Sequence, residues 1–148
     1  MTILDANLLL YAYNADAPEH DAARAWVQGI LAGRDWVGLA WLTIWAFLRI
    51  STNPRLFLQP LPVQEAFEIV RGWLALPSVV IIQPGTRHTD ILEELAVENQ
   101  AGGPLLTDAA LAAMAIEQGA VLASTDRDFS RFQRLQWLNP IEGKPRRA

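Results

Sequence analysis

What most constrains this chain is the way short apolar runs alternate with longer segments of helical periodicity along its 148 residues. Thr2–Leu4 is an apolar run stopped by Asp5. Residues 17–31 have helical spacing and end at Gly33, and 36–39 read as a strand. Residues 40–52 read as a helix closed by Asn53-Pro54, because the residue before proline avoids the α region. Pro62 opens a helix over 63–76 and Pro77 stops it. Val79–Ile82, between Pro77 and Pro84, is a β-branched run that reads as a buried parallel strand. Residues 87–99 are helical. Gly102-Gly103-Pro104 introduces a helix over 105–118, closed by Gly119. Residues 120–123 form a last strand, followed by a short helix from Asp126 to about Arg134. Strands alternating with helices of this length predict an α/β fold, with a central, mainly parallel sheet and helices on both faces. With about 150 residues per domain, residues 1–148 make one domain, ending in a basic tail at about 141–148.

Composition narrows the chemistry. The absence of cysteine excludes a disulfide framework, thiolate zinc sites, iron–sulfur clusters and cysteine nucleophiles. With 51% hydrophobic and 19% charged residues, the chain is too apolar to be disordered. Its longest apolar stretch, residues 36–48, ends at Arg49 and is too short to span a bilayer. No basic run precedes Asp5, so no signal peptide is expected. The net charge of −4 argues weakly against a general nucleic-acid coat. That charge is unevenly spread. Residues 127–148 carry six basic side chains against Asp128 and Glu142, a net +4, and the rest carries −8. The basic end is either a solvated tail or a phosphate-facing edge beside an acidic site.

In an open parallel sheet, ligands bind outside the carboxyl ends of the strands. Asp5 follows Ile3-Leu4 and Asp126 follows Val121-Leu122-Ala123-Ser124-Thr125, so both acids stand at such ends. Asp108 lies in the first turn of the helix after Pro104, where the helix dipole favours its ionised form. Asp128 is two residues beyond Asp126. If the four converge, their repulsion raises their pKa values unless a cation sits among them. An oxygen-only cluster suits Mg²⁺ or Mn²⁺ rather than zinc. Each acid also has an ordinary structural use: Asp5 ends a strand, Asp108 stabilises a helix N-terminus, and Asp126 or Asp128 caps the last helix. Asn7 either orients Asp5 or forms a turn. Glu117, nine residues after Asp108 and about half a turn out of phase, should face away from the acids. Asp90, Glu93, Glu94 and Glu98 form a solvated helix face, and His20 and His88 read as surface residues.

Three stretches resemble the motifs of PIN-domain nucleases, in that family's order. Leu4-Asp5-Ala6-Asn7-Leu8-Leu9 is similar to the first motif. Leu106-Thr107-Asp108-Ala109-Ala110-Leu111-Ala112-Ala113-Met114-Ala115 is similar to the third-acid motif, and Ser124-Thr125-Asp126-Arg127-Asp128-Phe129 to the fourth. Trp45-Ala46-Phe47-Leu48-Arg49-Ile50-Ser51-Thr52-Asn53-Pro54 and residues 132–140 resemble the VapC-type toxin subgroup. The resemblance implies a three-layer α/β/α PIN-like fold and a Mg²⁺- or Mn²⁺-dependent endoribonuclease that hydrolyses RNA phosphodiester bonds. It further implies the toxin of a type II toxin–antitoxin pair, homodimeric, cytoplasmic in a prokaryote and neutralised by a VapB-type antitoxin. Carried over by position, Asp5, Asp108 and Asp126 are catalytic metal ligands and Asp128 an outer or water-mediated one. Asn7 and Ser124 are hydrogen-bonding supports.

One position departs from the family pattern. Ala46 stands where PIN domains usually place a glutamate. This keeps a second reading open: a weakened or inactive PIN-fold module that binds RNA or protein. Arg49, one helical turn from Ala46, is placed either to reach a substrate phosphate or to make an ordinary surface contact. A phospho-accepting receiver domain is disfavoured, since the sole lysine is Lys144 in the tail. Of the six tryptophans, most are expected in the core, with an aromatic groove for a partner helix or a dimer contact as the functional alternative.

Overall fold

A computed structural model of the chain describes residues 1–142; Lys144, Arg146 and Arg147 of the expected tail lie outside the described residues. Five strands form one sheet: β1 (Thr2–Leu4), β2 (Val37–Ala40), β3 (Val79–Ile82), β4 (Val121–Ala123) and β5 (Gln136–Leu138). Their order is β3-β2-β1-β4-β5, and all four pairings are parallel. The chain builds outward from β1 through β2 to β3, then returns to place β4 on the other side of β1. That reversal puts a topological switch point between β1 and β4, where Asp5 and Asp126 leave the sheet.

Side chains alternate across each strand, and this alternation separates two cores. On one face Leu4, Val37, Leu39 and Ala123 pack with the buried residues of α1 (Ala6–Tyr13), α2 (His20–Ala32), α3 (Trp41–Ser51) and α4 (Val63–Leu74). On the other face Ile3, Ala40, Ile82 and Leu122 pack under α5 (His88–Asn99), α6 (Leu105–Glu117) and the 3₁₀ turn Arg127–Arg131. The result is a three-layer α/β/α fold. Gly38 makes the second core possible: a Cβ there would lie 2.7 Å from Ile82 Cγ1 and 2.9 Å from Ile3 Cγ1. Gly119 ends α6 at φ +62°, which glycine adopts without steric cost. The turn is closed by the Gly119 N–H to Ile116 O (3.0 Å) and the Ala120 N–H to Ala115 O (2.9 Å).

The expected strands and longer helices are present, with shifted ends. The helix expected from residue 17 begins at His20, because turn hydrogen bonds occupy the preceding residues. The helix expected over 126–134 is a single 3₁₀ turn. Two elements were not anticipated. In α1 the Leu8-Leu9-Leu10 run carries no helical period, and β5 is a three-residue edge strand. Among the described residues, no helix is long and apolar enough to cross a membrane.

The tryptophan expectation needs correction: Trp73 is buried, Trp26 and Trp137 are half-buried, and Trp36, Trp41 and Trp45 are exposed. For Trp41 and Trp45 the reason is helical phase. In α3 the buried positions are Thr43, Ile44, Phe47 and Ser51, and residues 41, 45 and 49 fall on the opposite side. Both histidines are half-buried rather than on the surface, and His20 Nδ1 lies 2.8 Å from the Tyr11 carbonyl oxygen.

Candidate functional site

The ends of β1 and β4 are joined by one buried hydroxyl. Ser124 Oγ donates to Asp5 Oδ2 (2.7 Å) and accepts from Asn7 Nδ2 (3.1 Å) and from the Asp126 N–H (3.0 Å). With one donor and two acceptor sites used, the hydroxyl is fully satisfied, as a wholly buried group must be. Asp5 Oδ1 accepts the Ala6 N–H (2.7 Å), so the acid both ends β1 and caps α1. Asn7 Oδ1 reaches the Thr125 N–H (3.4 Å). Asn7 therefore joins Asp5 through Ser124, and both expected supports sit in one network.

Asp108, Asp126 and Asp128 each bring one carboxylate oxygen within 4.8 Å of the others. Asp126 Oδ1 accepts the Asp128 N–H (2.9 Å), which caps the 3₁₀ turn and turns the chain back toward the cluster. Asp108 comes from the first turn of α6, as expected. Asp5 is not one of these three, but its charge is felt there. The Asp108 carboxyl is pushed up to about 6, first by desolvation and then by repulsion from Asp126, Asp5 and Asp128, with Arg131 opposing. Asp5 is also raised, chiefly by burial, against the pull of its hydrogen bonds from Ser124 and Ala6. Asp108, Asp126 and Asp128, with no histidine or cysteine among them, make a donor set of the kind that suits a hard divalent cation, and Asp5 lines the adjoining cleft with Asp108.

A cleft of about 320 Å³ opens beside the cluster, lined by residues that include Asp5, Trp45, Ala46, Arg49, Thr107 and Asp108. Ala46 thus shares a cavity with two of the acids and gives it no carboxylate. Arg49 lines the same cleft. On the basic edge, Arg131 Nη2 lies 3.5 Å from Asp128 Oδ1, Arg127 pairs with Glu142, and Arg134 pairs with Glu94. The three arginines of the described part of that edge are thus matched by carboxylates.

Two positioning contacts were not anticipated. Thr43 Oγ1, buried in α3, donates to the Leu4 carbonyl (3.4 Å), the residue before Asp5. Trp137 Nε1 donates to the Ser124 carbonyl (3.0 Å) from β5. Both link residues far apart in sequence, and no local pattern signals them. Glu117 faces away from the acids, as its phase requires. Its carboxylate accepts the Gly85 N–H (2.7 Å) and the Arg87 N–H (2.9 Å) and so pins the loop before α5.

Comparison with known proteins agrees with this geometry. The PIN domain profile matches residues 2–135. Ribonuclease VapC37 of Mycobacterium tuberculosis is 44% identical over 140 residues, covering 95% of this chain and 97% of the relative. Ribonuclease VapC33 of the same species is 41% identical over 141 residues, covering 95% and 99%. Among solved structures, VapBC2 from Rickettsia felis, bound to a DNA fragment from its promoter, superposes with a TM-score of 0.65 at 19% identity, covering 93% of this chain and 97% of that one. With its acids in the family's order on the family's fold, and near-full-length relatives above 40% identity, the chain belongs to the PIN-domain family and to its VapC ribonuclease branch.

Proposed function

We propose that this protein is a metal-dependent endoribonuclease that acts as the toxin of a type II pair and is silenced by a VapB-type antitoxin. One observation carries the reading: Asp108, Asp126 and Asp128 meet within 4.8 Å, beside Asp5, at the switch point of a PIN fold. The donor set fits Mg²⁺ or Mn²⁺, because it is all carboxylate oxygen and because a cation would offset the desolvation and the mutual repulsion that raise Asp108. Asp5, Asp108 and Asp126 would hold the ion, with Asp128 as an outer or water-mediated ligand. A divalent cation bound there supplies Lewis-acid polarisation of a phosphodiester and a more acidic water.

The chain's own residues do the positioning. Ser124 fixes the Asp5 carboxylate and the Asp126 backbone with one oxygen, and Asn7 holds that hydroxyl in register. Arg49, in the same cleft as Asp5 and Asp108, is placed to bind a phosphate oxygen of the RNA. For protein partners, a homodimer copy and the antitoxin, Leu56, Leu58, Val63 and Phe67 supply exposed apolar surface on the loop before α4 and on α4 itself. On this reading the protein works in the prokaryotic cytoplasm with its antitoxin.

The test is RNA cleavage by the purified full chain in Mn²⁺ with and without chelator. Cleavage that chelator abolishes is expected. A protein that binds RNA or antitoxin but never cuts would support the second reading, a binding module, which Ala46 favours by leaving the cleft one carboxylate short.

A further inference from the structure

Along one face of α3, Trp41, Trp45 and Arg49 stand four residues apart, and all three are exposed, the indoles by 42% and 63%. The two indoles lie nearly parallel, with centroids 6.5 Å apart and planes inclined by 27°. At one end the row enters the acidic cleft, which Trp45 and Arg49 line together with Asp5 and Asp108. At the other end it borders a second, mostly apolar groove of about 440 Å³, lined by Trp41, Trp45, Ile82, Gln83, Pro84 and Met114. The far wall of that groove is held in place, since Glu117 takes the N–H groups of Gly85 and Arg87 just beyond Pro84.

We infer that the Trp41–Trp45–Arg49 row is a stacking track for single-stranded RNA, seating one or two bases next to the phosphate presented to the acids. The inference rests on the ribonuclease reading and adds the residues that seat the substrate's bases. Aromatic faces interleaved with a cation are what a single strand asks for, because every base has a π-face and every linkage a negative charge. Continuity favours RNA over a protein occupant: Trp45 belongs both to the groove and to the cleft, so whatever covers it also abuts the reacting centre. Gln83 adds an amide that can both donate to and accept from a base edge. Burying an indole in the core is not its role here, so its loss should leave the fold standing.

The test uses the full chain carrying Asp108→Asn, so that RNA survives the measurement, in Mn²⁺. The probes are a short fluorescein-labelled single-stranded RNA of mixed sequence and a matching strand without bases. Adding Trp45→Ala should weaken the intact strand roughly tenfold. Trp45→Phe should restore most of that loss, and the baseless strand should bind parent and variant alike. On the wild-type background, Trp45→Ala should raise KM for single-stranded RNA more than it lowers kcat. Unchanged affinity in both Trp45→Ala and Trp41→Ala, or an equal loss on both strands, would overturn the inference. So would loss of self-association or of antitoxin binding in Trp45→Ala, since the row would then be a protein interface. A wild type that cleaves RNA while its Trp45→Ala and Trp41→Ala forms both behave identically removes the track alone. A wild type that neither cleaves RNA nor, as Asp108→Asn, binds it removes the ribonuclease reading and the track together.

Discussion

On either side of Asp108 the site has two unlike walls. The β1–β4 wall is built of acids whose oxygens are held by the chain itself: Asp5 by Ser124 and Ala6, and Asp126 by the Asp128 N–H. The α3 wall has no acid. It offers Ala46, Arg49 and an exposed indole to the same cleft, none of them in a hydrogen bond to another side chain of the site. Charge is prearranged on one wall, and the other is left open for something the chain does not contain. A preorganised donor set costs desolvation and repulsion before it binds its ion, and both raise Asp108, desolvation the more. An open wall costs nothing until substrate arrives.

The contrast breaks most sharply at the acids. Asp5→Asn or Asp108→Asn is expected to abolish growth arrest and to cut RNA cleavage by about a hundredfold or more, since loss of a mere outer partner of a metal ligand already costs 10–100-fold. Circular dichroism should show both variants folded. Full toxicity from either one would separate this wall from the chemistry.

Ser124→Ala tests how the wall is held. Without the hydroxyl, Asp5 loses a donor, and the Asn7 amide and Asp126 N–H lose an acceptor. Leaving buried polar groups unpaired should cost about 1–3 kcal/mol of stability. Mn²⁺ affinity should fall about tenfold or more. Thermal denaturation and calorimetric titration read the two effects separately, and unchanged values in both would leave the hydroxyl without a role.

Ala46→Glu sharpens the comparison by giving the α3 wall the acid it lacks. Mn²⁺ binding should tighten by more than the roughly 1 kcal/mol of a surface ion pair, because the added charge stands near a divalent cation in a partly dry cleft. Metal-free stability should fall from the added repulsion. Unchanged affinity in a folded variant, by isothermal titration, would mean that residue 46 does not face the ion.

The smallest effect is the pH dependence. A carboxyl raised to about 6 in the folded protein, from 3.8, binds its proton more tightly folded than unfolded. In chelator, its contribution therefore favours the folded state at low pH and is lost as pH rises through the window between those two values. Melting temperatures of wild type and Asp108→Asn, compared across that window, should converge at its acid end and diverge above it, with the wild type lower. Mn²⁺ affinity should run the opposite way, weakening as pH falls below about 6.

Much of this was legible in the residues. Val79–Ile82 is bounded by prolines and β-branched throughout, so its strand is found to the residue. The phase of Glu117 relative to Asp108 follows from helical geometry alone, and it holds. The resemblance put Ala46 at the position of the family's usual glutamate, and helical spacing put Arg49 one turn away with a phosphate or a surface contact open to it; both residues line the cleft with Asp5 and Asp108. What escaped were elements without a period, α1 and β5, and contacts that local sequence does not encode. The tryptophans misled because composition counts aromatic rings without their helical phase, and in α3 that phase turns two of them outward.

By itself the sequence determined the alternation of strands and helices, the oxygen-only character of the acids and their positions at chain reversals. These are properties of neighbours in the chain, set by side-chain period, proline and glycine. Only the tertiary structure decided that Ser124 ties Asp5 to Asp126, that Asp108 arrives from α6 within 4.8 Å of Asp126 and Asp128, and that Trp45 borders both cleft and groove. Those facts depend on which strands become neighbours. Strand order is settled by how the two helical layers bury their apolar faces on the sheet, and no single segment of the chain carries that information.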